Sequence, residues 1–200
     1  MTFDIRGVKY ELSFSFFALL CLTLLLSDKS ISLVCLVSSF LHEAGHILPL
    51  YIFKSPPKKV VLAFFGMRIE REDNVYISYK KEAVIAIGGI SVNLLLSAFG
   101  LLLWLITESK TAFILLWVNI FIALLNSIPV CVLDLGRFLR YILLVRYDEE
   151  KVNRITDKVS DVSVVSVVAI TVLYTVFIGV NLSLFAVSLY LLILNIQERR

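Results

Sequence analysis

The chain has 200 residues, 59% of them hydrophobic and 18% charged, with a mean hydropathy of +0.90. This is well above the roughly 45–50% apolar content of soluble domains and points to a polytopic membrane protein. The net charge of +3 comes from Lys and Arg gathered in a few loops, so no solvated basic domain is present to follow a nucleic-acid backbone, and nucleic acid is excluded as a partner.

In chain order, the first apolar run covers residues 12–26 and follows a short charged start. No small-residue cleavage pattern precedes Ser27-Asp28-Lys29-Ser30, so the run reads as a retained span. Cys21 and Cys35 lie in apolar runs, and with Cys131 they show no CxxC spacing; within such runs Cys acts as a small hydrophobe. A second span is expected over 31–53, ended by Ser55-Pro56-Pro57. The loop that follows has an apolar stretch from Val60 to Phe65, alternation through Met67, Arg68, Ile69 and Glu70, an acidic turn, and Val75 to Tyr79. That pattern predicts a β-hairpin at the cytoplasmic membrane face.

Spans three and four are expected over 83–106 and 111–128, each near the ~20 residues that cross a hydrocarbon core. Tyr147 to Asp161 carries charges of both signs and reads as a solvated connector. As one helix, the run from Val162 to Leu194 would be about 50 Å long against a core of about 30 Å. Two spans over 162–178 and 182–195, turning at Gly179-Val180-Asn181, fit better. The expected fold class is therefore an all-α polytopic membrane protein: six transmembrane helices, a small hairpin between helices two and three, one integral-membrane domain over 1–200. With six spans, every Lys and Arg except Lys29 and Lys110 falls on one side. Since cytoplasmic loops collect these residues, both termini are expected in the cytoplasm.

His42-Glu43-Ala44-Gly45-His46 is an H-E-x-x-H sequence inside the second span. Only a helix satisfies its own backbone in lipid, and positions i and i+4 share a helix face, so both imidazoles can reach one metal ion. Glu43 is off that face but can take a proton from a metal-bound water. The alternative is a pair of histidines that hydrogen-bond neighbouring helices. A hydrolytic zinc site wants a third protein ligand, and among the acidic residues Asp134 is the candidate, because it follows the fourth span in Asn126-Ser127-Ile128-Pro129-Val130-Cys131-Val132-Leu133-Asp134. A straight helix from Thr111 would carry Asp134 past the depth of the histidines, so span four must start deeper, tilt or bend back at Pro129.

The pairing of H-E-x-x-H with a later N-x-x-P-x-x-x-x-D resembles the site-2 protease family of intramembrane zinc metalloproteases, in the compact form of its bacterial sporulation branch, without PDZ or CBS domains. Gly88-Gly89-Ile90-Ser91-Val92-Asn93 is similar to the family's Gly-Pro-x-x-Asn segment, with Ile90 at the proline position. The resemblance implies one Zn2+ held by His42, His46 and Asp134, Glu43 as general base, and Asn126 and Asn93 as polar helpers. It differs from the family after the aspartate, where Leu135 replaces the first of two glycines and Gly136 remains. Both asparagines can also be read as ordinary interhelical hydrogen-bonding residues, and the glycines as aids to close packing. The expected activity is cleavage of a peptide bond in or beside the membrane segment of a single-pass protein: a tethered regulator, a pro-sigma or anti-sigma factor, or a signal-peptide remnant. Met67 to Glu70 would hold the unwound substrate as an added strand. The lipid bilayer and a regulatory membrane protein are further expected partners, and a bacterial cell membrane is the expected location. A metal transporter and an inactive membrane-protein binder are the alternatives.

Overall fold

The computed structural model describes residues 2–5, 8–12, 29–63, 66–70 and 77–198. Four strands and six helices occur among them: β1 (Thr2–Ile5), β2 (Val8–Leu12), α1 (Lys29–Ile52), β3 (Lys59–Ala63), β4 (Gly66–Glu70), α2 (Tyr79–Thr107), α3 (Lys110–Asn126), α4 (Asp134–Leu144), α5 (Glu149–Phe177) and α6 (Leu182–Glu198). The chain divides into two compact units, residues 1–124 and 125–200.

In the first unit the strands form one sheet in the order β1-β2-β3-β4. β3 and β4 make an antiparallel hairpin, with Leu62 opposite Met67 and Lys59 opposite Glu70, within the stretch expected to form one but turning between Ala63 and Gly66 rather than at the acidic stretch 72–74. The sheet is larger than the sequence suggested. β1 and β2 add a second antiparallel hairpin, and β2 joins β3 in parallel. Leu12, expected to open the first span, is the last residue of β2; the rest of that span, apart from it, lies outside the described residues. Alternation in Val8-Lys9-Tyr10-Glu11-Leu12 is the period-2 signal of a strand, obscured by its charges. Of the strand expected over Val75 to Tyr79, residues 75 and 76 lie outside the described set. Ser78 stands instead at the N-cap position of α2, and Tyr79 is already helical.

α1 and α2 pack against each other with their backbones in contact at two glycines. A β-carbon on Gly45 would overlap the Gly88 carbonyl, and one on Gly88 the Gly45 carbonyl. Gly100 allows a second close approach, because a β-carbon there would meet the backbone of Leu116. Glu108, in the left-handed region at φ 52°, ends α2 with its N–H on the Trp104 carbonyl, and α3 starts two residues later.

In the second unit, the segment expected as a solvated connector is the first half of α5. The Asp148 carboxylate accepts the Lys151 N–H at 3.2 Å, Glu149 and Glu150 occupy the first turn, and Arg154 pairs with Glu150 one turn on. These are helix-starting and helix-supporting features, so mixed charge here makes a solvated helix rather than a loop. The expected turn at Gly179-Val180-Asn181 is present. Gly179 has φ +131°, a conformation that favours glycine, and Asn181 caps α6 by accepting the N–H groups of Ser183 and Leu184. Thr171 and Ser188 hydrogen-bond between α5 and α6 at 2.6 Å, beside a core of Val130, Val164 and Leu191.

Three helical stretches, Ser30–Ile52, Tyr79–Thr107 and Glu149–Phe177, are long and apolar enough to cross a membrane; Lys110–Asn126 and Leu182–Gln197 are shorter apolar helices. Their outer faces present Leu95 and Ile106, each 71% exposed, and Phe177, 80% exposed. Apolar surface of that kind suits hydrocarbon and marks a membrane protein.

The parallel junction of the sheet carries an ion pair, Lys59 Nζ to Glu11 Oε2 at 2.8 Å. The hydrogen bond and charge of Lys59 hold the Glu11 carboxyl below its ordinary 4.5. A lowered carboxyl pKa stabilises the fold above 4.5, and that contribution is lost as pH falls through the lowered value. Acidification from about pH 5 to about pH 3 should therefore reduce intrinsic-rate-corrected hydrogen-exchange protection in β2 of the wild type, and leave Lys59→Gln, already less protected, nearly unchanged.

Candidate metal centre

His42 and His46 lie one turn apart on α1, both buried, with ring centroids 5.1 Å apart and planes at 83°. Their outer nitrogens are fixed by α2. His46 Nδ1 is 2.8 Å from the Ile85 carbonyl oxygen, and a carbonyl only accepts, so Nδ1 carries a proton and Nε2 is the nitrogen left to face a metal.

For His42 the same conclusion follows through three side chains. Asn119 Nδ2 donates to the Leu115 carbonyl at 2.9 Å and to Ser38 Oγ at 2.9 Å. The carbonyl cannot donate, so the Asn119 amide has one orientation, which turns its Oδ1 to Asn93 Nδ2 at 2.7 Å. Asn93 Oδ1 then faces His42 Nδ1, which must donate the hydrogen bond between them. Both imidazoles thus offer Nε2 as a donor atom, the tautomer a metal ligand needs. Asn93, Asn119 and Ser38 are each 0% exposed, so this network has no water to fall back on.

Space for a ligand is built into the same place. A β-carbon on Gly89 would fall against the Nε2 atoms of both His46 and His42. Only a residue without a side chain leaves the volume between the two donors open. Together with the donor chemistry, this cradle fits a divalent ion bound through imidazole nitrogen.

Asp134 is the first residue of α4 and is buried. Span four does not run straight to it. α3 ends at Asn126, and the segment 127–133 containing Pro129 is non-helical, as a residue without an N–H and with a fixed φ encourages. Turns at Val130 N–H to Ile128 O (2.8 Å) and Leu133 N–H to Val130 O (2.9 Å) shape this segment. Val130 is fully buried, and the Cys131 N–H reaches Ser160 Oγ at 3.4 Å. Ser160 donates to Asn195 Oδ1 at 2.6 Å, and Asn195 Nδ2 to Asp161 Oδ1 at 2.9 Å, so α5 and α6 hold the approach to Asp134. A β-carbon on Gly136 would overlap the Val130 carbonyl. Gly136 is therefore the glycine this turn requires, and Leu135 beside it is half-buried.

Among the described residues, His42, His46 and Asp134 form a buried group that could hold a metal ion, each offering one ligand atom, with those atoms all within 4.8 Å of one another. Glu43 lies half-buried on α1 between the histidines, and Asn126 half-buried at the end of α3. Met67 to Glu70 lie in β4, an edge strand of the sheet. Sequence reasoning missed Asn119, Ser38, Ser160 and Asn195. An Asn inside an apolar run was the available signal at 119, since a buried amide demands partners.

Gly89→Ala should abolish binding of zinc or cobalt in a chelator competition, because its methyl fills the cradle. Asn93→Ala should weaken it by about 10–100-fold, the usual effect of losing a partner that orients a ligand.

No family model matches the chain, and no curated protein matches it. Among solved structures, the chain is similar to the site-2 protease from Methanocaldococcus jannaschii, at TM-score 0.69 and 22% identity, over 100% of this chain and 95% of that one. At this identity the likeness is one of fold.

Proposed function

We propose that the chain is an intramembrane zinc metalloendopeptidase of the site-2 protease type, in the compact form of the sporulation branch. Its substrate is a single-pass membrane protein, cut within or next to the membrane segment: a tethered regulator, a pro-sigma or anti-sigma factor, or a signal-peptide remnant. The observation that carries this reading is the pair of imidazoles presenting Nε2 lone pairs around the space left by Gly89, on a helix that also bears Glu43. The full-length fold likeness to a site-2 protease supports it.

His42, His46 and Asp134 would hold the ion. Zinc, when bound, supplies a Lewis acid for the scissile carbonyl and lowers the pKa of water towards ~7. Glu43 takes the proton of the attacking water and returns it to the leaving amine. Asn93 keeps the His42 ring in its ligating tautomer, and Asn126 stands at the entrance to the turn that leads to Asp134. Burial keeps bulk water from competing for these groups.

A helical substrate hides its carbonyls in its own hydrogen bonds and must unwind before attack. β4 offers a sheet edge on which Met67, Arg68, Ile69 and Glu70 would take the unwound segment as an extra strand. The distribution of Lys and Arg supports cytoplasmic termini in a bacterial cell membrane, with a regulatory membrane protein as a further partner.

The test compares membrane-protein fragments in cells carrying wild type or Glu43→Gln, with crosslinking to capture what the variant retains. One single-pass protein should accumulate uncut on the variant, and its in vitro cleavage should fall by about 10²–10⁴-fold while zinc stays bound. Identical fragments from both, with the protein present and zinc-loaded, would point to an inactive binder. Zinc uptake by vesicles that hold the purified chain would point to a transporter. Proline substitutions over Met67–Glu70 should slow cleavage of the helical substrate, and unchanged rates would remove the strand from the mechanism.

A further inference from the structure

In the second unit, α5 passes from a charged to an apolar surface on one face. Lys151, Arg154, Ile155 and Lys158 share that face by their spacing, and one turn on it continues as Val162 and Val165, each 66% exposed. Exposed valines on a helix apolar enough to span a bilayer belong in hydrocarbon, so the water boundary falls between Lys158 and Val162. At 1.5 Å per residue, Arg154 and Lys158 lie within about 12 Å of Val162, and Lys151 about 5 Å beyond. The headgroup layer is about 5–8 Å deep on each side, within reach of long side chains from this turn and the next.

Lys151, Arg154, Ile155 and Lys158, with Asp148, line a recess of about 400 Å³. Three cations therefore face one acid, and the Asp148 carboxylate is occupied by the Lys151 backbone N–H. The Lys151 ammonium lies 4.2 Å from the centroid of the Tyr147 ring, an aromatic suited to the interface. Arg154 pairs with Glu150, but both side chains are more than 70% exposed, and such a pair yields readily to a stronger anion. Lys158 has no ion-pair partner among the described residues. Adjoining the recess is a cavity of about 250 Å³ whose wall includes Leu139 and Leu143 of α4 and Ile155, Thr156 and Val159 of α5. Ile155 lines both spaces. Arg140 closes the corner by hydrogen-bonding Asn153 and Glu149 across the two helices.

A basic recess at the water boundary of a membrane helix matches one ligand chemistry, a phosphate joined to a hydrocarbon chain. We infer that this basic stripe of α5 binds one anionic phospholipid, its phosphate on Lys151, Arg154 and Lys158 and its acyl chains in the hydrocarbon beside Val162 and Val165. A basic cluster beside a membrane helix is an established basis for recognising anionic headgroups.

The experiment reconstitutes the full chain with spin-labelled phosphatidylglycerol or phosphatidylcholine and reads the fraction of motionally restricted lipid. Phosphatidylglycerol should be preferred, and the triple variant K151Q/R154Q/K158Q should lower that preference at least ~3-fold while its circular dichroism and melting stay those of wild type. Arg146→Gln, which removes an exposed cation outside the stripe, should leave it unchanged. Excess inorganic phosphate should not displace the lipid. Preference that survives the triple variant, falls equally with Arg146→Gln, or is abolished by free phosphate would overturn the assignment.

Discussion

The contact on which the site depends is the approach of two backbones at Gly45 and Gly88. With no β-carbon on either helix there, α1 and α2 come close enough for imidazole rings of one to bond with a carbonyl and an amide of the other. The pairing is antiparallel: residues near 42 meet those near 93, and residues near 46 meet those near 85 and 89. A larger residue at the crossing would push the helices apart and strand the ring nitrogens. Inside a membrane a stranded polar group has no water to replace its partner, at a cost of about 1–3 kcal/mol or more. Pro49, one turn after Gly45, supplies no N–H to the Gly45 carbonyl, which lies against Gly88 at the crossing.

The hydrogen-bond partners that orient both rings come from outside the site. On one side the Ile85 carbonyl acts directly. On the other, the Leu115 carbonyl acts through Asn119 and Asn93, about one residue at a time, because each amide has one end that donates and one that accepts. Networks of this kind are favourable only when every member is satisfied. The same logic recurs in the second unit, where Asp161, Asn195 and Ser160 fix the backbone ahead of Asp134.

What could be read from the sequence was what depends on local spacing. Two histidines four apart with an acid between them announce a ligand face on any helix, and the stop at Gly179 follows from helix length alone. An Asn at 119 inside an apolar run was visible, but its partners Asn93 and Ser38 were out of reach because they depend on how the three helices are set in register, which hydropathy does not record. The N-terminal hairpin was overlooked because Lys9 and Glu11, which alternate with Val8, Tyr10 and Leu12, made a strand look like a charged tail. The start of α5 was misjudged for a related reason. Its mixed charge was taken as a loop signal, although an aspartate cap followed by two glutamates and an i,i+4 ion pair are helix features. Gly89 was visible as a glycine, but nothing in its neighbours tells packing from cradle.

The histidines belong to residues 1–124 and Asp134 to residues 125–200. During synthesis, therefore, the imidazole pair and its asparagine support are made before the carboxylate leaves the ribosome. A nascent chain at that stage offers the two imidazoles and lacks the Asp134 carboxylate, a poorer set for a divalent ion than all three residues together. The three-residue group is therefore complete only once the second unit has been made, and a product truncated before residue 134 lacks one of its members.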